Sequence, residues 1–589
     1  MSICYNIRNI LFIYSLCLVS TVTCLKDGNN TIFHASLKED NSITLHWTVD
    51  YSSEMVTFEI HLPSNYGWFA IGFSDRGKLF PADYCLLWVD LEGKISLQDS
   101  FANDKGIIQL DKLQDCDGFR LKRRNDVTKF TFKRKFDTCD DKDYIIQDGT
   151  THMVWFRGYH KLYQPSGLNV SSPSGNHGMI RVQLLKNTEV NTVLPPDIKV
   201  LDIVVDKNHV PAEETTYWCH VVKIPDEFRR KHHIYQYESK IQQSSQGFVH
   251  HMEVFHCETN PDEEIPLYDG NCFASDRPAK TSVCKKVLAA WAMGAPPFIY
   301  PEEASLPIGG DKFNLYIMLE IHYNNPELKS GLVDSSGVRF YVSDRLKRMD
   351  AGVIELGLEY TDKMAIPPGQ ELFPLFGYCT SACTAMGLPP EGITIFGSQL
   401  HTHLTGARML TRHIDAHGKE LPELNRDDHY STHFQEIRRL KNVVKVLPGD
   451  SLITRCDYNT QDKENITLGG FSISDEMCVN YVHYFPLTDL EVCKSSISDQ
   501  ALMTYFSYMN EWEGQPTIST KGISDNYKVI EWNKIRVQLL REVYEEAPLS
   551  MQCNMSSGDR YPGYWENASI PPVLIPLGPP KRRCADIKE

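Results

Sequence analysis

Apolar and polar residues alternate in several segments of this chain, and this pattern limits the folds that the chain can adopt. Residues 43–49 and 56–60 alternate with a period of two, as strands with one buried face do. Turn residues separate them from two further apolar runs, residues 67–73 and 83–90. The pattern predicts a mainly β protein, with a β-sandwich over residues 33–160.

The chain has 589 residues, which is too long for a single hydrophobic core. Residues 314–323 are apolar on both faces and are predicted to form a central strand. Residues 527–543 have the spacing of an amphipathic helix that packs on the strand-rich unit beginning near Ala351 or on a second subunit. Composition and turn signals give these divisions: signal peptide 1–24, first domain 33–160, linker 161–196, second domain 197–347, third domain 348–545 and C-terminal tail 546–589.

The N-terminus has the pattern of a secretory signal peptide. Arg8 precedes an apolar run over residues 10–19, and Cys24 marks a candidate cleavage site. An uncleaved anchor is the alternative, although the run is short for a membrane span. No later run reaches spanning length, and the formal net charge of −16 argues against nucleic acid or an anionic membrane as the partner. We predict a lumenal or secreted protein without a stable membrane span.

Cysteines and sequons agree with passage through an oxidising compartment. Of the 17 cysteines, three lie in the signal segment, and the even number that remains suits a disulfide framework. Glycosylation sequons begin at five asparagines: Asn29, Asn169, Asn465, Asn554 and Asn567.

His401 and His403 are the first candidates for metal ligands. They lie two residues apart after the apolar positions Ile393, Ile395 and Phe396, and residues i and i+2 of a strand share one face. Two imidazoles on one face form a bidentate nitrogen site for a transition metal. A surface strand that happens to carry two polar residues is the alternative.

Other candidate metal ligands are weaker evidence when each is considered alone. Adjacent His250 and His251 would point to opposite faces of a regular strand, so a shared ion requires a bulge or the use of different ring nitrogens. His322 lies in the predicted buried strand, where a hydrogen-bonded core histidine is more common. Met477 is either core filling or a thioether ligand, and soft sulfur with imidazoles favours Cu(I). His232 and His233 follow basic residues and are predicted to lie in an exposed loop.

Four motifs carry a resemblance to a known family. His-His-Met-Glu-Val-Phe at 250–255, Leu-Glu-Ile-His-Tyr-Asn-Asn-Pro at 319–326, His-Thr-His-Leu-Thr-Gly at 401–406 and Glu-Met-Cys-Val-Asn-Tyr-Val-His-Tyr at 476–484 resemble the copper type II, ascorbate-dependent monooxygenases. Within that family the chain resembles the branch of the dopamine β-hydroxylases and DBH-like monooxygenases. The Gly-Trp-Phe-Ala-Ile-Gly-Phe-Ser segment at 67–74 resembles a DOMON domain.

The resemblance implies a fold and a site. Two successive jelly-roll-like domains would face each other across an open cleft, with one copper in each. The electron-transfer copper would be held by His250, His251 and His322, and the O2-binding copper by His401, His403 and Met477. Tyr217 would lie near the first copper and is grouped with His401, His403 and Met477 as catalytic. Ascorbate would reduce both coppers, and a hydroxyl group would be delivered from O2 to an activated carbon of a small substrate.

The family also implies disulfides: Cys219 with Cys272, Cys257 with Cys284, Cys379 with Cys493, Cys383 with Cys553, Cys456 with Cys478, and Cys139 with Cys584. Cys85 and Cys116 then remain, and we pair them by elimination.

The substrate is not determined by these motifs. Phenethylamines are the candidate class, while peptidylglycine α-hydroxylation is an alternative in the family. In that relative an arginine precedes the His-x-His pair by two residues and grips a carboxylate; here the position is Gln399, which cannot form the charged clamp. A secreted copper-binding protein without activity is the second alternative. A homodimer is considered, with the terminal helix as its contact element.

Overall fold

The computed structural model describes residues 23–27, 30–38, 40–171, 176–186, 194–245, 247–292, 295–325, 327–472, 474–518, 520–578 and 584. Residues 1–22 of the predicted signal peptide lie outside the described residues, and so does the sequon residue Asn29.

The first domain is a sandwich of two sheets. Its described strands are β1 Thr23–Asp27, β2 Asn30–Ser36, β3 Thr44–Asp50, β4 Met55–Pro63, β5 Trp68–Ser74, β6 Ala82–Val89, β7 Ile95–Ala102, β8 Ile108–Leu110, β9 Asp117–Arg124, β10 Val127–Lys135, β11 Thr151–Gly158 and β12 His177–Val182. One sheet has the order β1-β2-β3-β4-β10-β9 and the other the order β12-β11-β5-β6-β7-β8. Apolar residues of both sheets, including Trp47, Phe58, Phe69 and Trp155, form the buried core between them.

Part of the predicted linker belongs to this sandwich. Strand β12, within the stretch 161–196, pairs with β11, and Leu184 and Leu185 are buried in the core. The Trp47 indole donates a hydrogen bond to the Leu184 carbonyl at 3.0 Å. The linker prediction was therefore wrong for this part, because the apolar residues after the Ser- and Gly-rich segment complete the core.

The second domain is also a sandwich. Its described strands are β13 Lys199–Val204, β14 Asn208–His209, β15 Thr215–Lys223, β16 His232–Lys240, β17 Val249–Cys257, β18 Tyr268–Asn271, β19 Cys284–Ala292, β20 Phe298–Ile299, β21 Ala304–Ile308, β22 Tyr316–Asn324, β23 Val333–Asp334, β24 Gly337–Ser343 and β25 Met349–Asp350. One sheet has the order β13-β24-β16-β21-β25 and the other the order β18-β15-β22-β17-β19. The predicted central strand is confirmed as β22, which lies between β15 and β17.

The two faces of the sheet that contains β22 differ in composition. Met252, Val254, Leu319 and Ile321 point into the sandwich core. Because side chains alternate along a strand, the residues between them point to the opposite face. That outer face turns toward the third domain and carries the candidate ligands of this domain.

His232 and His233 were wrongly predicted to lie in an exposed loop. Both are buried on β16. His233 Nε2 lies 2.9 Å from a carboxylate oxygen of Asp350, and its Nδ1 accepts a hydrogen bond from the Lys347 backbone N–H. These partners satisfy the ring inside the fold, which the basic residues before it did not indicate.

The third domain has two larger sheets and a helical region. Its described elements are β26 Gly352–Leu358, β27 Ala365–Ile366, β28 Phe373–Cys379, α1 Ser381–Gly387, β29 Ile393–His401, β30 Gly406–Ile414, β31 Glu420–Asp427, β32 Arg438–Val446, β33 Ser451–Tyr458, β34 Thr467–Leu468, β35 Val479–Phe485, β36 Leu490–Ile497, α2 Asp499–Glu511, α3 Ile523–Lys528, α4 Lys534–Glu546 and β37 Leu549–Met555. The sheets have the orders β32-β29-β35-β26-β36-β37 and β28-β33-β30-β31. Strand β37, in the predicted tail, is thus part of this domain.

The helix predicted over residues 527–543 is two helices. α3 ends at Lys528, Ile530 enters the core, and the Asn533 side chain caps α4 by accepting from the Arg536 backbone N–H. α4 packs on the third domain, where the Tyr544 hydroxyl donates to the Lys363 carbonyl at 2.7 Å. No helix among the described residues is long and apolar enough to cross a membrane.

Seven disulfides join described cysteines. The pairs are Cys85–Cys116, Cys139–Cys584, Cys219–Cys272, Cys257–Cys284, Cys379–Cys493, Cys383–Cys553 and Cys456–Cys478. These are the pairs that the family resemblance implies, together with the pair assigned by elimination.

The second and third domains share a junction of aromatic rings. Phe298 of the second domain packs against His483 of the third with ring centroids 5.0 Å apart, and Tyr300 packs against Phe396 at 6.0 Å. Phe396 is part of the same buried cluster as the core of the second domain. This contact joins the second and third domains through buried rings.

Candidate metal centres

Three imidazoles meet on the outer face of the β22 sheet. His251 on β17 and His322 on β22 are cross-strand partners, and their Nδ1 atoms lie 3.2 Å apart. The Nδ1 atoms of His250 and His251 are 3.1 Å apart. One ring nitrogen from each residue lies within 4.8 Å of the others, so this first centre can hold one metal ion.

A β-bulge allows the adjacent histidines to share a face. Val249 pairs with Tyr323 and His251 pairs with His322, which leaves His250 as an extra residue on β17. A bulge turns the inserted residue away from its regular alternation. The bulge that a shared ion at His250 and His251 requires is therefore present.

Stacking of an aromatic ring and burial of the three imidazoles favour the binding of a cation at the first centre. The Tyr217 ring stacks on the His322 ring, with centroids 4.6 Å apart and planes at 7°. Burial, aided by neighbouring histidines, lowers the pKa of His322 to about 3 and that of His250 to about 4, and holds the pKa of His251 well below its usual value. The three rings are neutral at pH 7, which is the state that donates lone pairs to a metal.

The second centre is held by hydrogen bonds from loops. His401 ends β29 and His403 follows it, with ring centroids 5.3 Å apart. His401 Nδ1 lies 2.6 Å from Gln435 Oε1, and His403 Nδ1 lies 3.0 Å from the Asp475 carbonyl oxygen. Because both partners are acceptors, each Nδ1 carries the proton and each Nε2 keeps a lone pair.

The Gln435 amide is itself oriented by the backbone. Its Nε2 donates to the carbonyls of Thr432 at 2.7 Å and of Thr402 at 3.2 Å. These bonds point Oε1 toward His401. Burial, with His403 nearby, lowers the pKa of His401 to about 3, so this ring is also neutral at pH 7.

The Glu476 carboxylate ties the two parts of the second centre together. It accepts hydrogen bonds from the backbone N–H of His403 at 2.9 Å and of Met477 at 3.3 Å, and from both the backbone N–H and the hydroxyl of Thr405 at 2.6 and 2.7 Å. Burial raises the pKa of Glu476 to about 7. Met477 is 8% exposed, and its carbonyl accepts from the Tyr458 hydroxyl at 2.6 Å.

The third domain reaches the first centre directly, so the cleft is not open along its whole length. His433 of the third domain places its Nδ1 3.4 Å from His250 Nε2. His401 and His403 are near enough to His251 to lower its pKa further. The expectation of an open cleft is corrected at this point, because the loop between β31 and β32 reaches from the third domain to the second.

Two carboxyl groups lie beside the first centre. Glu253 and Glu320 are cross-strand partners on the same face as His251 and His322. Burial, with Glu320 and Glu355 nearby, raises the pKa of Glu253 to about 8, and burial raises that of Glu320 to about 7. Glu355 pairs with Lys494 at 2.7 Å, whereas Glu253 and Glu320 form no ion pair within the described part of the chain.

Exposed aromatic rings stand near both centres. Phe273 is 73% exposed and packs edge-on against Tyr217 at 5.7 Å. Near the second centre, the Tyr481 ring lies 6.3 Å from the His401 ring. The Tyr481 hydroxyl contacts that of Tyr360 at 3.4 Å, and Tyr360 in turn packs against Phe471 at 5.4 Å.

Together these observations define a class of protein: two facing β-sandwiches, with three imidazoles on one and, on the other, two imidazoles beside a segment in which the Met477 backbone shares the Glu476 carboxylate with His403. Neutral imidazole with soft sulfur fits copper, including Cu(I), better than a hard cation.

Family models support the same class. The chain matches the N-terminal domain of the copper type II ascorbate-dependent monooxygenases over residues 201–330, their C-terminal domain over 349–506, and the DOMON domain over 39–158. The chain belongs to the copper type II ascorbate-dependent monooxygenase family and is an oxidoreductase of that class.

Curated relatives match most of the chain. It is 43% identical to dopamine beta-hydroxylase of Equus caballus, over 94% of this chain and 90% of the relative. It is 38% identical to tyramine beta-hydroxylase of Caenorhabditis briggsae, over 90% of each chain. It is 35% identical to DBH-like monooxygenase protein 1 of Mus musculus, over 79% of this chain and 74% of the relative.

The structure adds residues that sequence reasoning missed. Gln435 and His433 contact candidate ligands from positions far along the chain, and no spacing rule pointed to them. Glu476 begins the motif at 476–484, but its contacts with His403 and Thr405 could not be read from that motif. Gln399, which stands where the peptide-binding relative has arginine, is 6% exposed and donates to the Gln435 carbonyl at 3.1 Å. It therefore supports the loop that holds His401.

The sequons differ in accessibility. Asn169, Asn465 and Asn567 are exposed, whereas Asn554 is half-buried.

Proposed function

We propose that His250, His251 and His322 hold one copper and that His401, His403 and Met477 hold a second. The enzyme then uses O2 and ascorbate to hydroxylate an activated carbon of a phenethylamine-like substrate. The observation that carries this proposal is the pair of neutral donor sets that face each other from two domains. Bound copper would supply one-electron redox chemistry between ascorbate and O2.

The reaction balances as a monooxygenation. One substrate C–H bond, one O2, two electrons from ascorbate and two protons give one C–OH bond and one water. The chain itself contributes orientation: Gln435 and the Asp475 carbonyl fix the tautomers of His401 and His403, and Tyr217 fixes the plane of His322. Outer partners of this kind maintain both the affinity and the geometry of a metal site.

An aromatic amine suits the surroundings of the centres. Glu253 and Glu320 are buried carboxyl groups without an ion pair among the described residues, and a protonated amine bound beside them would favour their ionised form. Phe273 and Phe471 offer apolar surface to an aromatic ring. The proposal agrees with the names of the relatives, dopamine beta-hydroxylase and tyramine beta-hydroxylase.

Elemental analysis tests the ligand assignment. Wild type is expected to bind two coppers per chain, and Met477→Ala is expected to weaken only the second. Ascorbate-driven O2 consumption with a panel of phenethylamines then tests the reaction. Two coppers without turnover on any substrate would support the inactive copper-binding alternative. Fewer than two coppers in wild type would contradict the six-ligand assignment.

Glu253→Gln tests the amine contact. Loss of a charge-assisted contact costs about 1.5–3 kcal/mol, so KM for the amine should rise at least about 10-fold. KM for the analogue with a hydroxyl in place of the ammonium should not change. Glu214→Gln, at an exposed position of the second domain, is the matched control. An equal rise for both substrates would contradict a contact with the ammonium group.

Peptides that end in glycine test the family alternative. The buried Gln399 amide leaves no charged clamp at that position, so we expect no turnover of such peptides. Turnover comparable with that of the amines would contradict the proposed substrate class.

We further propose that the protein works in the secretory lumen or after secretion, glycosylated at its exposed sequons. The seven disulfides and the sequons support this proposal. Mobility shifts after glycosidase treatment test it, with each Asn→Gln variant as control.

A homodimer through the helical region is also proposed, since Trp512 and Ile535 are 76% and 66% exposed. Sedimentation of wild type and Ile535→Glu tests it, and a monomeric wild type would contradict it.

A further inference from the structure

One loop contacts both candidate metal centres. Residues 428–437, between β31 and β32, are called here the bridging loop. From this loop Gln435 holds His401 Nδ1 at 2.6 Å, and the Tyr430 hydroxyl accepts from the Thr402 backbone N–H at 2.9 Å. His433 reaches the other centre, with its Nδ1 3.4 Å from His250 Nε2. The position of this loop thus bears on ligands of both centres.

The base of the bridging loop is closed by a residue of the first domain. Asp427 and Arg438, which flank the loop, pair at 2.8 Å. Thr150 of the first domain joins both: its hydroxyl donates to Asp427 at 2.6 Å and accepts from Arg438 at 2.8 Å. The Thr150 backbone N–H also donates to the Asp427 carboxylate at 3.0 Å. Thr150 and Asp427 are each 1% exposed, so water does not compete for these bonds.

Two further contacts hold the back of the bridging loop. His429 Nδ1 lies 2.5 Å from a carboxylate oxygen of Asp75, and its ring lies 4.6 Å from that of Tyr144. Gly149 leaves very little room at the base, because a Cβ at this position would lie 2.7 Å from Asp427 Oδ1. The first domain therefore fits closely against the bridging loop.

We propose that the first domain positions the imidazoles of both metal centres through the bridging loop. This inference rests on the proposed ligand assignment. The path is short and continuous: Thr150 fixes Asp427 and Arg438, these fix the ends of the loop, and the loop fixes His401 through Gln435 and His250 through His433. The first domain contributes no candidate ligand, so its part in the reaction is that of a positioning element.

Two substitutions in the first domain test this role without altering any group at the centres. Thr150→Val removes the hydroxyl that joins Asp427 to Arg438, and Gly149→Ala inserts a methyl group against Asp427. Thr131→Val, on β10, is the matched control for the first, because β10 supplies none of these contacts. Gln435→Leu and His433→Ala serve as references for direct loss of support at the second and the first centre.

The readouts are the Cu(II) electron paramagnetic resonance spectrum, the infrared stretch of carbon monoxide bound to the Cu(I) protein, and the dissociation constant of each copper. Gln435→Leu is expected to weaken the second copper about 10- to 100-fold. Gly149→Ala and Thr150→Val are expected to shift the spectra in the same direction as the two reference variants, with copper weakened about 3- to 10-fold. Thr131→Val should match wild type.

The outcomes separate this inference from the proposed function. Wild type with two coppers, combined with wild-type spectra and copper affinities in both Gly149→Ala and Thr150→Val, would overturn the positioning role alone. A lowered Tm in these variants without a spectral change would have the same meaning, because it would show a purely structural contact. Fewer than two coppers in wild type would instead overturn the ligand assignment, and the inference with it.

Discussion

The two candidate metal centres differ in what fixes their rings. In the first centre, the register of β17 against β22 and the bulge at His250 bring three Nδ1 atoms together. In the second, the backbone of β29 ends at His401, and side chains and carbonyls from other segments hold both Nδ1 atoms. The first centre is a product of sheet geometry, and the second depends on hydrogen bonds that converge from several loops.

This difference predicts different responses to mutation. A centre fixed by sheet register should lose less affinity when a neighbouring hydrogen bond is removed, because the backbone that places its ligands is paired along the whole strand. A centre fixed by loop hydrogen bonds should lose affinity when one of them is removed. The Nδ1 atoms converge in the first centre, whereas in the second each Nδ1 has a hydrogen-bond acceptor and Nε2 keeps the lone pair, so the spectra of the two centres should be distinguishable.

Glu476→Gln is expected to give the largest effect. Both carboxylate oxygens accept hydrogen bonds from donors around His403, Thr405 and Met477, and a glutamine would place its NH2 group against some of those donors. Copper affinity of the second centre should fall about 100-fold, while that of the first should not change. Copper titration followed by electron paramagnetic resonance measures both.

Glu464→Gln, at an exposed position of the same domain, is the control for the loss of one carboxylate. Equal weakening of both coppers in Glu476→Gln would contradict the distinction between the centres, because it would show that the first centre also depends on the hydrogen bonds of Glu476.

The same distinction explains what could be predicted from sequence. Period-two alternation and the two-sided apolar strand predicted β22 and the sandwiches, because such patterns are local. For the adjacent His250 and His251 to share an ion, the strand needs a bulge. Only the pairing of β17 with β22 shows that this bulge exists. His233 was wrongly placed because its partner Asp350 lies more than a hundred residues away, and His232 was wrongly placed because the basic residues before it did not indicate burial on β16.

The supports of the second centre illustrate a further limit. Gln435 stands at a position whose local sequence resembles an ordinary loop, and Glu476 belongs to a motif in which only its neighbour Met477 was a candidate ligand. Their role arises from the meeting of segments that are distant in the chain, and no spacing rule encodes that meeting. The predicted linker failed for a related reason: composition indicated flexibility, whereas burial of Leu184 and Leu185 decided the structure.

The junction between the two domains gives a second prediction, of intermediate size. His483 is 1% exposed, and neither ring nitrogen has a hydrogen-bond partner among the described residues. Burial lowers its pKa from the usual 6.5 to about 3. The ring is neutral in both folded and unfolded protein above pH 6.5. Below that pH the unfolded chain binds a proton that the folded chain excludes, so stability falls as the pH falls from 6.5 toward 3.

At pH 5 this exclusion should cost about 2 kcal/mol of unfolding free energy. His483→Leu keeps an apolar contact with Phe298 and removes the titrating group, so its Tm should fall less than that of wild type between pH 7.5 and pH 5. His417→Leu, at an exposed position of the same domain, should behave like wild type. Parallel curves for wild type and His483→Leu would contradict the assignment of acid sensitivity to the junction.

The smallest expected effect concerns the ring that stacks in the first centre. Tyr217 lies face to face with His322 at 4.6 Å, and such contacts contribute about 0.5–1.5 kcal/mol. Tyr217→Leu should therefore weaken the first copper by no more than about 10-fold, whereas Tyr217→Phe, which keeps the ring, should bind it as wild type does. Copper titration of the two variants measures the difference.

If Tyr217→Phe weakened the first copper as much as Tyr217→Leu, the hydroxyl rather than the stacked ring would support the centre. If Tyr217→Leu weakened it about 100-fold, the loss would equal that expected for Glu476→Gln at the second centre. The first centre would then depend on its neighbouring side chains as much as the second does, and sheet register alone would not account for its geometry. A small loss confined to Tyr217→Leu is what a centre built by β17 and β22 requires, because the strands continue to hold His251 and His322 in register without the ring.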